Sequence, residues 1–322
     1  MSEQTSATES GRQFFADVVH GLSLPGKSIP SKYFYDERGS ALFDQICDTE
    51  EYYPTRAELE ILQHNTESIA YQVDRGVMLV EYGSGSSVKT RLLLDSLNEP
   101  AAYVPVDISE EHLLKTAEEL RLRFPQLAVL PVVADFTKPF ALPAGDYGQT
   151  HVALYFPGST IGNFTPAEAG ELLEMMAGLL GTQGGLLIGI DLQKEISVIE
   201  SAYNDRDGVT ADFNLNLLRR INTELNADFN LDQFEHQAIY NMVHHRIEMS
   251  LVSQCDQSVS VGGCRFEFRR SEQILTEYSH KYTVEGFARF ASQYGFSLHR
   301  HWTDSKEYFA VLHLVIEQEL VV

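Results

Sequence analysis

The sequence predicts an α/β fold built on a parallel sheet, and three observations carry that prediction. Short apolar segments recur between helical patterns. A glycine turn, Gly83 and Gly85, follows the first of them. Carboxylates stand at the ends of the first three, at Glu81, Asp107 and Asp135. Apolar runs separated by helices mark strands buried on both faces, because the crossover helices cover both sides of a parallel sheet.

The elements follow in order. Residues 1–11 are small and polar, and a flexible N-terminus is expected there. Ser40–Ile46 spaces its apolar residues three and four apart, as a buried helix face requires. Tyr53-Pro-Thr-Arg-Ala-Glu opens a further helix, with Thr55 the expected N-cap and Glu58 its capping-box partner. Strands are expected at 77–81, 101–106, 127–133, 151–156 and 185–190, with helices at 88–97, 109–124 and 166–180 between them. After Asp191 the alternation stops. The segments 238–252 and 258–269 have the character of long strands, the second interrupted by Gly262-Gly263. A helix at 284–294 and strands near 297–302 and 308–316 end the pattern. An antiparallel pair closing a parallel sheet is typical of the Rossmann-type sheet of class I methyltransferases. The domains expected are a Rossmann domain at 62–192 and 281–322, and a mixed α+β substrate-binding domain at 12–61 and 193–280.

Composition narrows the partners. The chain has 322 residues, enough for two domains, and 43% of them are hydrophobic. Its 46 acidic against 24 basic side chains leave a formal charge of -22, a field that repels nucleic-acid backbones and anionic membranes. Cys47, Cys255 and Cys264 form no pairable framework, which suits a reducing compartment. No signal-peptide pattern and no membrane-spanning run is present, so a cytoplasmic monomer without nucleic-acid or membrane partners is expected.

Ligands of open parallel sheets bind beyond the carboxyl ends of the strands. Gly83 and Gly85 permit a tight turn and a close approach to the backbone, with Ser84 between them. A dinucleotide site usually has a third glycine three residues on, and here that position is Val88, which disfavours a pyrophosphate. Asp107 is placed to accept from both hydroxyls of a ribose. Asp135 is placed to take an adenine amino group, and Phe136 to pack on the purine. Glu81, Gly83, Ser84, Gly85, Asp107, Asp135 and Phe136 in this order form an S-adenosylmethionine pattern, and Lys89 is within reach of the cofactor carboxylate. The glycine turn alone supports only nucleotide binding.

The fourth strand runs into Pro157-Gly-Ser-Thr-Ile-Gly-Asn163-Phe164, where methyltransferases place a substrate-facing loop. The Asn/Asp-Pro-Pro-aromatic motif of many amino-group methyltransferases is absent. Asn163 offers a donor and an acceptor, which suits an amino acid. Five motifs, Tyr33-Phe-Tyr-Asp-Glu-Arg-Gly-Ser, Glu51-Tyr-Tyr-Pro-Thr-Arg, Glu81-Tyr-Gly-Ser-Gly-Ser, Pro157-Gly-Ser-Thr-Ile-Gly-Asn and Thr276-Glu-Tyr-Ser-His-Lys-Tyr, are present in this order. With them the chain resembles the histidine N-alpha-methyltransferases of ergothioneine biosynthesis over about residues 14–316.

The resemblance implies three methyl transfers from S-adenosylmethionine to the alpha-amino group of L-histidine, giving hercynine. It implies that a second domain closes over histidine. Tyr53 and Asn163 match the positions that together hold the substrate carboxylate and amine, and both are expected to act in catalysis. Tyr203 matches a further carboxylate contact, Glu277 and Ser279 the pair that recognises the imidazole, and Tyr33 a cofactor contact. Met249 is a candidate for lining the substrate pocket.

Each residue also has a plainer reading. Tyr52-Tyr53 suits a hydrophobic staple, Glu277 a solvated acid, Met249 a core side chain, and the three strand-end acids helix caps. His244-His245 are adjacent on an expected strand and would point to opposite faces, so no metal site is expected. Two alternatives keep the fold: an N-methyltransferase of another amino acid such as tryptophan, and a non-catalytic S-adenosylmethionine-binding protein.

Overall fold

A computed structural model describes residues 9–84 and 88–316. Gly85, one of the expected cofactor residues, lies outside them. The chain falls into two compact units, one comprising the residues up to Tyr52 together with Glu195–Ser279, the other Tyr53–Lys194 and the residues from His280 onward.

In chain order, α1 (Glu9–Ser23) and α2 (Glu37–Asp48) precede α3 (Tyr53–Val73). Then come β1 (Val77–Tyr82), α4 (Val88–Ser96), β2 (Ala102–Asp107), α5 (Glu110–Arg123), β3 (Ala128–Val129) and β4 (Val132–Val133). β5 (His151–Phe156), α6 (Pro166–Leu180) and β6 (Gly185–Asp191) complete the alternating part. The insertion carries α7 (Ile196–Tyr203), α8 (Val209–Glu224), β7 (Phe234–Asn241), β8 (Arg246–Ser253), β9 (Gln257–Val261), β10 (Cys264–Phe268) and β11 (Gln273–His280). α9 (Val284–Ser292), β12 (Phe296–Thr303) and β13 (Phe309–Ile316) follow.

The large sheet has the order β12-β13-β6-β5-β1-β2-β3, with β4 also on β2. β1 pairs in parallel with β2 on one side and β5 on the other. The strand order reverses there, and the carboxyl ends of β1 and β5 are the topological switch point. β13 inserts antiparallel between β6 and β12, with Val311 opposite Gly189 and Trp302. This is the class I methyltransferase arrangement, as the sequence predicts.

Alternation along β1 supplies two cores. Met78, Val80 and Tyr82 pack with Leu172, Leu173 and Met176 of α6 and Phe287 of α9. Val77 and Leu79 pack with Ile61, Leu62 and Ile69 of α3, Leu93 and Leu94 of α4, and Leu120 of α5. That second core explains why the sheet unit begins at Tyr53 and not at residue 62. The buried face of α3 has its apolar neighbours on the sheet, so the whole helix belongs with it. Thr55 is accordingly inside α3 and not its N-cap, and Glu58 is fully buried. The expected third strand is two short pieces, because Pro131 lacks the N–H that a continuous ladder needs.

In the other unit each expected long strand is a hairpin. β7 pairs antiparallel with β8, and β9 with β10 around Gly262-Gly263. β11, β8 and β7 form a three-stranded sheet. His244 and His245 sit in the exposed β7–β8 turn, so the expectation that they lie on a strand is corrected. Asn241 opens the turn, its side chain accepting from the amides of Val243 at 3.0 Å and His244 at 3.1 Å, but Met242-Val243 carry the apolar pattern across it. Asp36 caps α2 through the Gly39 amide at 2.6 Å and accepts from Asn216 of α8 at 2.8 Å. Phe34 stacks on Phe213 beside it, with ring centroids 4.5 Å apart.

Candidate active site

The cofactor residues of the sheet unit gather where the fold predicts a ligand. β1 ends at Tyr82, and Gly83 turns the chain with φ 70°, a conformation that side chains resist. Its amide donates to the Val106 carbonyl at 2.9 Å, which holds the turn against the end of β2. Among the described residues, a Cβ at Gly83 would meet Phe136 alone, at 3.9 Å. Ser84 is buried, and its hydroxyl has no hydrogen-bond partner among the described residues. A buried orphan donor at a strand end is a place for a polar ligand, since burial without a partner costs about 1–3 kcal/mol.

Asp107 closes β2 and accepts from the Ser109 amide at 2.9 Å. Burial pushes its carboxyl up, against the opposing pull of that amide and of His112. Asp135 accepts from the amide of Thr137 at 3.1 Å and from its hydroxyl, and Lys138 lies 4.0 Å away. Phe136 lies flat on Tyr82 at 5.3 Å and edge-on to Phe156 at 5.6 Å, forming an aromatic wall beside the glycine turn. An orphan hydroxyl, an open glycine, a desolvated carboxylate and an aromatic wall fit an adenosyl group carrying polar ends.

Two acids of this unit face inward. Glu81 is 1% exposed and accepts from Thr90 at 2.7 Å and Tyr103 at 2.7 Å. Burial, opposed by those hydrogen bonds, raises its carboxyl to about 7. It anchors α4 and β2 to the turn. Lys89 pairs with Glu58 at 2.5 Å. Glu58 also accepts from the Gly158 amide at 2.9 Å and Tyr155 at 3.2 Å, so α3, α4 and the loop after β5 share one carboxylate.

Asn163 ends a 3₁₀ turn, Thr160–Asn163, in that loop. The turn rests on β11's end, where a Cβ at Gly162 would stand 2.9 Å from the His280 carbonyl. Tyr53 donates to both oxygens of Asp191, at 2.9 and 2.8 Å. Asp191 ends β6 and is fully buried, with Lys281 at 2.8 Å and Lys194 on its other oxygen. Lys194 also reaches the Tyr53 oxygen at 2.6 Å. Burial alone would raise Asp191, but the two ammonium groups outweigh it and hold the carboxyl low.

In the other unit, Tyr203 ends α7, and its hydroxyl shares a 2.7 Å hydrogen bond with Ser279. Glu277 and Ser279 are two apart on β11 and share a face. Met249 of β8 is buried, and its carbonyl accepts from Thr276 of β11 at 3.1 Å. Tyr52 packs edge-on to Tyr203 at 6.2 Å. Burial first, then Tyr203, Cys47 and Glu277, push its phenol well above the ordinary range. The structure thus gathers Tyr203, Met249, Glu277 and Ser279 around β11. Tyr33 is elsewhere in this unit, donating to Asp17 and packed on Phe14 with centroids 4.4 Å apart.

Sequence reasoning missed Asp191, Lys194 and Lys281 as site residues. Asp191 carried the same signal as Glu81, an acid at a strand's carboxyl end. Lys281 stood within the Thr276-Glu-Tyr-Ser-His-Lys-Tyr motif, but 90 residues from Asp191 along the chain, and nothing in the sequence tied either lysine to that carboxylate. Among the described residues no group of His, Cys, Asp and Glu is placed to hold a metal ion, and no helix is long and apolar enough to cross a membrane.

The profile of a family described as histidine-specific methyltransferase, S-adenosylmethionine-dependent, matches residues 14–316. The histidine N-alpha-methyltransferase of Mycobacterium tuberculosis is 40% identical over 294 residues, covering 89% of this chain and 90% of that one. Its counterpart in Mycolicibacterium smegmatis is 39% identical, covering 93% and 92%. Ergothioneine biosynthesis protein 1 of Schizosaccharomyces pombe is 29% identical, over 80% of this chain and 35% of its own length.

Proposed function

The chain belongs to the S-adenosylmethionine-dependent, histidine-specific methyltransferases, and from that premise we propose that it trimethylates the alpha-amino group of L-histidine to hercynine, on the route to ergothioneine. The observation that carries the substrate is β11. There Glu277 and Ser279 share a face, and Ser279 is bonded to Tyr203.

A carboxylate paired with a hydroxyl satisfies both nitrogens of an imidazole. An apolar ring offers neither group a hydrogen bond and is disfavoured there. Glu277 and Ser279 recognise the imidazole, Tyr203 the carboxylate, and Tyr53 and Asn163 the amine, with Met249 as an apolar wall.

S-adenosylmethionine, when bound, supplies an electrophilic methyl group on its sulfonium. Gly83 and Ser84 would hold its amino-acid end, Asp107 its ribose, and Asp135 and Phe136 its adenine. The protein's part is to hold the amine nitrogen in line with that methyl and to exclude water. The trimethylated product no longer donates hydrogen bonds, and surrounding aromatic rings tolerate its charge through cation–π attraction.

Glu277→Ala tests the assignment. It should lower kcat/KM for histidine by about 100-fold or more, the scale of an unpaired polar group in a recognition site. Unchanged turnover of histidine would remove Glu277 from the site.

A further inference from the structure

We propose that Lys194, acting through Tyr53, carries away the protons that the substrate amine must lose. This rests on the assignment of Tyr53 to the amine. Complete methylation of an ammonium group replaces three N–H bonds and releases three protons. Of the two side chains assigned to the amine, the Asn163 amide cannot take a proton, so the route starts at Tyr53.

Behind Tyr53, two lysines meet on one carboxylate. Asp191 and Lys281 form a buried pair at 2.8 Å, with 1% and 0% exposure. Lys194 is a second lysine on the same carboxylate, itself 5% exposed. Its nitrogen has three neighbours: Asp191, the Leu192 carbonyl and the Tyr53 oxygen. The first two can only accept. A neutral lysine would spend its two N–H bonds on them and turn its lone pair to Tyr53, whose hydroxyl then rotates from Asp191 to donate to Lys194. The charged groups facing Lys194 are Asp191, Lys281 and, more distantly, Asp304, while the rings of Tyr53 and Tyr308 lie 4.2 and 5.4 Å from its nitrogen. Burial first, then Lys281, lowers the ammonium to about 8 against the attraction of Asp191.

In each transfer an amine N–H bond breaks and its proton moves to the Tyr53 oxygen. The Tyr53 proton moves to the lone pair of neutral Lys194, which becomes an ammonium on Asp191. The amine nitrogen keeps its electron pair and uses it to bond the methyl carbon, while the bond from that carbon to the sulfonium breaks and its pair stays on sulfur as a neutral thioether. Lys194 returns the proton to water before the next cycle.

The test is kcat against pH with histidine, for the wild type, Lys194→Arg and Lys194→Met, with calorimetric cofactor binding as the check on folding. The wild type should rise to a plateau above about pH 8. Arginine keeps the charge but cannot deprotonate. Lys194→Arg should therefore lose about 100-fold in kcat, the scale of general-base catalysis, with KM for histidine little changed and no plateau. Lys194→Met should show the same loss. Wild-type activity in either folded variant would overturn the proposal. So would a wild-type profile without an inflection between pH 7 and 9, whether or not the variants fold. A wild type that forms no methylated histidine would instead overturn the substrate assignment.

Discussion

Glu81 shows how much a single carboxyl can carry in this fold. It is buried under Thr90 and Tyr103, and its acid group is raised to about 7. In the unfolded chain it titrates near 4.3. Below that value both states hold the proton and Glu81 costs nothing. As pH rises toward about 7 the unfolded chain ionises first, so stability falls, and the loss is complete above the folded value. Glu81→Gln removes the titration and keeps a carbonyl for both hydroxyls. The gain in melting temperature of the variant over the wild type should be near zero at pH 4 and positive at pH 8, measured by thermal unfolding in a pH series. A constant difference would show that the group does not titrate in this range. The sequence made Glu81 visible as an acid ending a strand, and for that reason assigned it to a ligand. Its inward rotation depends on Tyr103, a partner on the neighbouring strand that β1 itself does not announce.

Among the elements, the 3₁₀ turn Thr160–Asn163 is the most exacting. Gly162 sits so close to His280 that a Cβ would stand 2.9 Å from its carbonyl and 3.1 Å from its nitrogen. Backbone does not yield as a flexible side chain does, so Gly162→Ala must shift the turn and Asn163 with it. Misplacement of a positioning group by about 1 Å can cost 100-fold in rate. Gly162→Ala should lower kcat at least 10-fold while cofactor affinity, measured by calorimetry, is kept; full activity would show that Asn163 is not held by this contact. The strands and helices of the sheet were legible from their apolar periodicity, down to β5 and α6. The hairpins β7–β8 and β9–β10 were not. Their strands share one apolar pattern across each turn: Met242-Val243 mask the turn that Asn241 opens, and Gly262-Gly263 suits a bulge as well as a turn.

At the scale of the molecule, the residues divide by task. Gly83, Ser84, Asp107, Asp135 and Phe136 belong to the sheet unit, and Tyr203, Glu277 and Ser279 to the other. Asp107→Ala should weaken binding of S-adenosylhomocysteine about 10-fold or more, since a hydrogen bond to a charged group contributes about 1.5–3 kcal/mol. Glu277→Ala should leave that binding within a factor of about two; equal effects of both changes would contradict the division. The Rossmann-type sheet and its cofactor loops followed from residues close together in sequence. The Tyr53–Asp191–Lys194–Lys281 cluster did not, because only the fold brings Tyr53 and Lys281 to Asp191 and its neighbour Lys194. The central claim concerns the methyl acceptor. Purified protein, free L-histidine and methyl-labelled S-adenosylmethionine, followed by mass spectrometry, should give mono-, di- and then trimethylated histidine labelled on the alpha nitrogen. No labelled histidine, or preferential labelling of another amino acid in the same mixture, would contradict it.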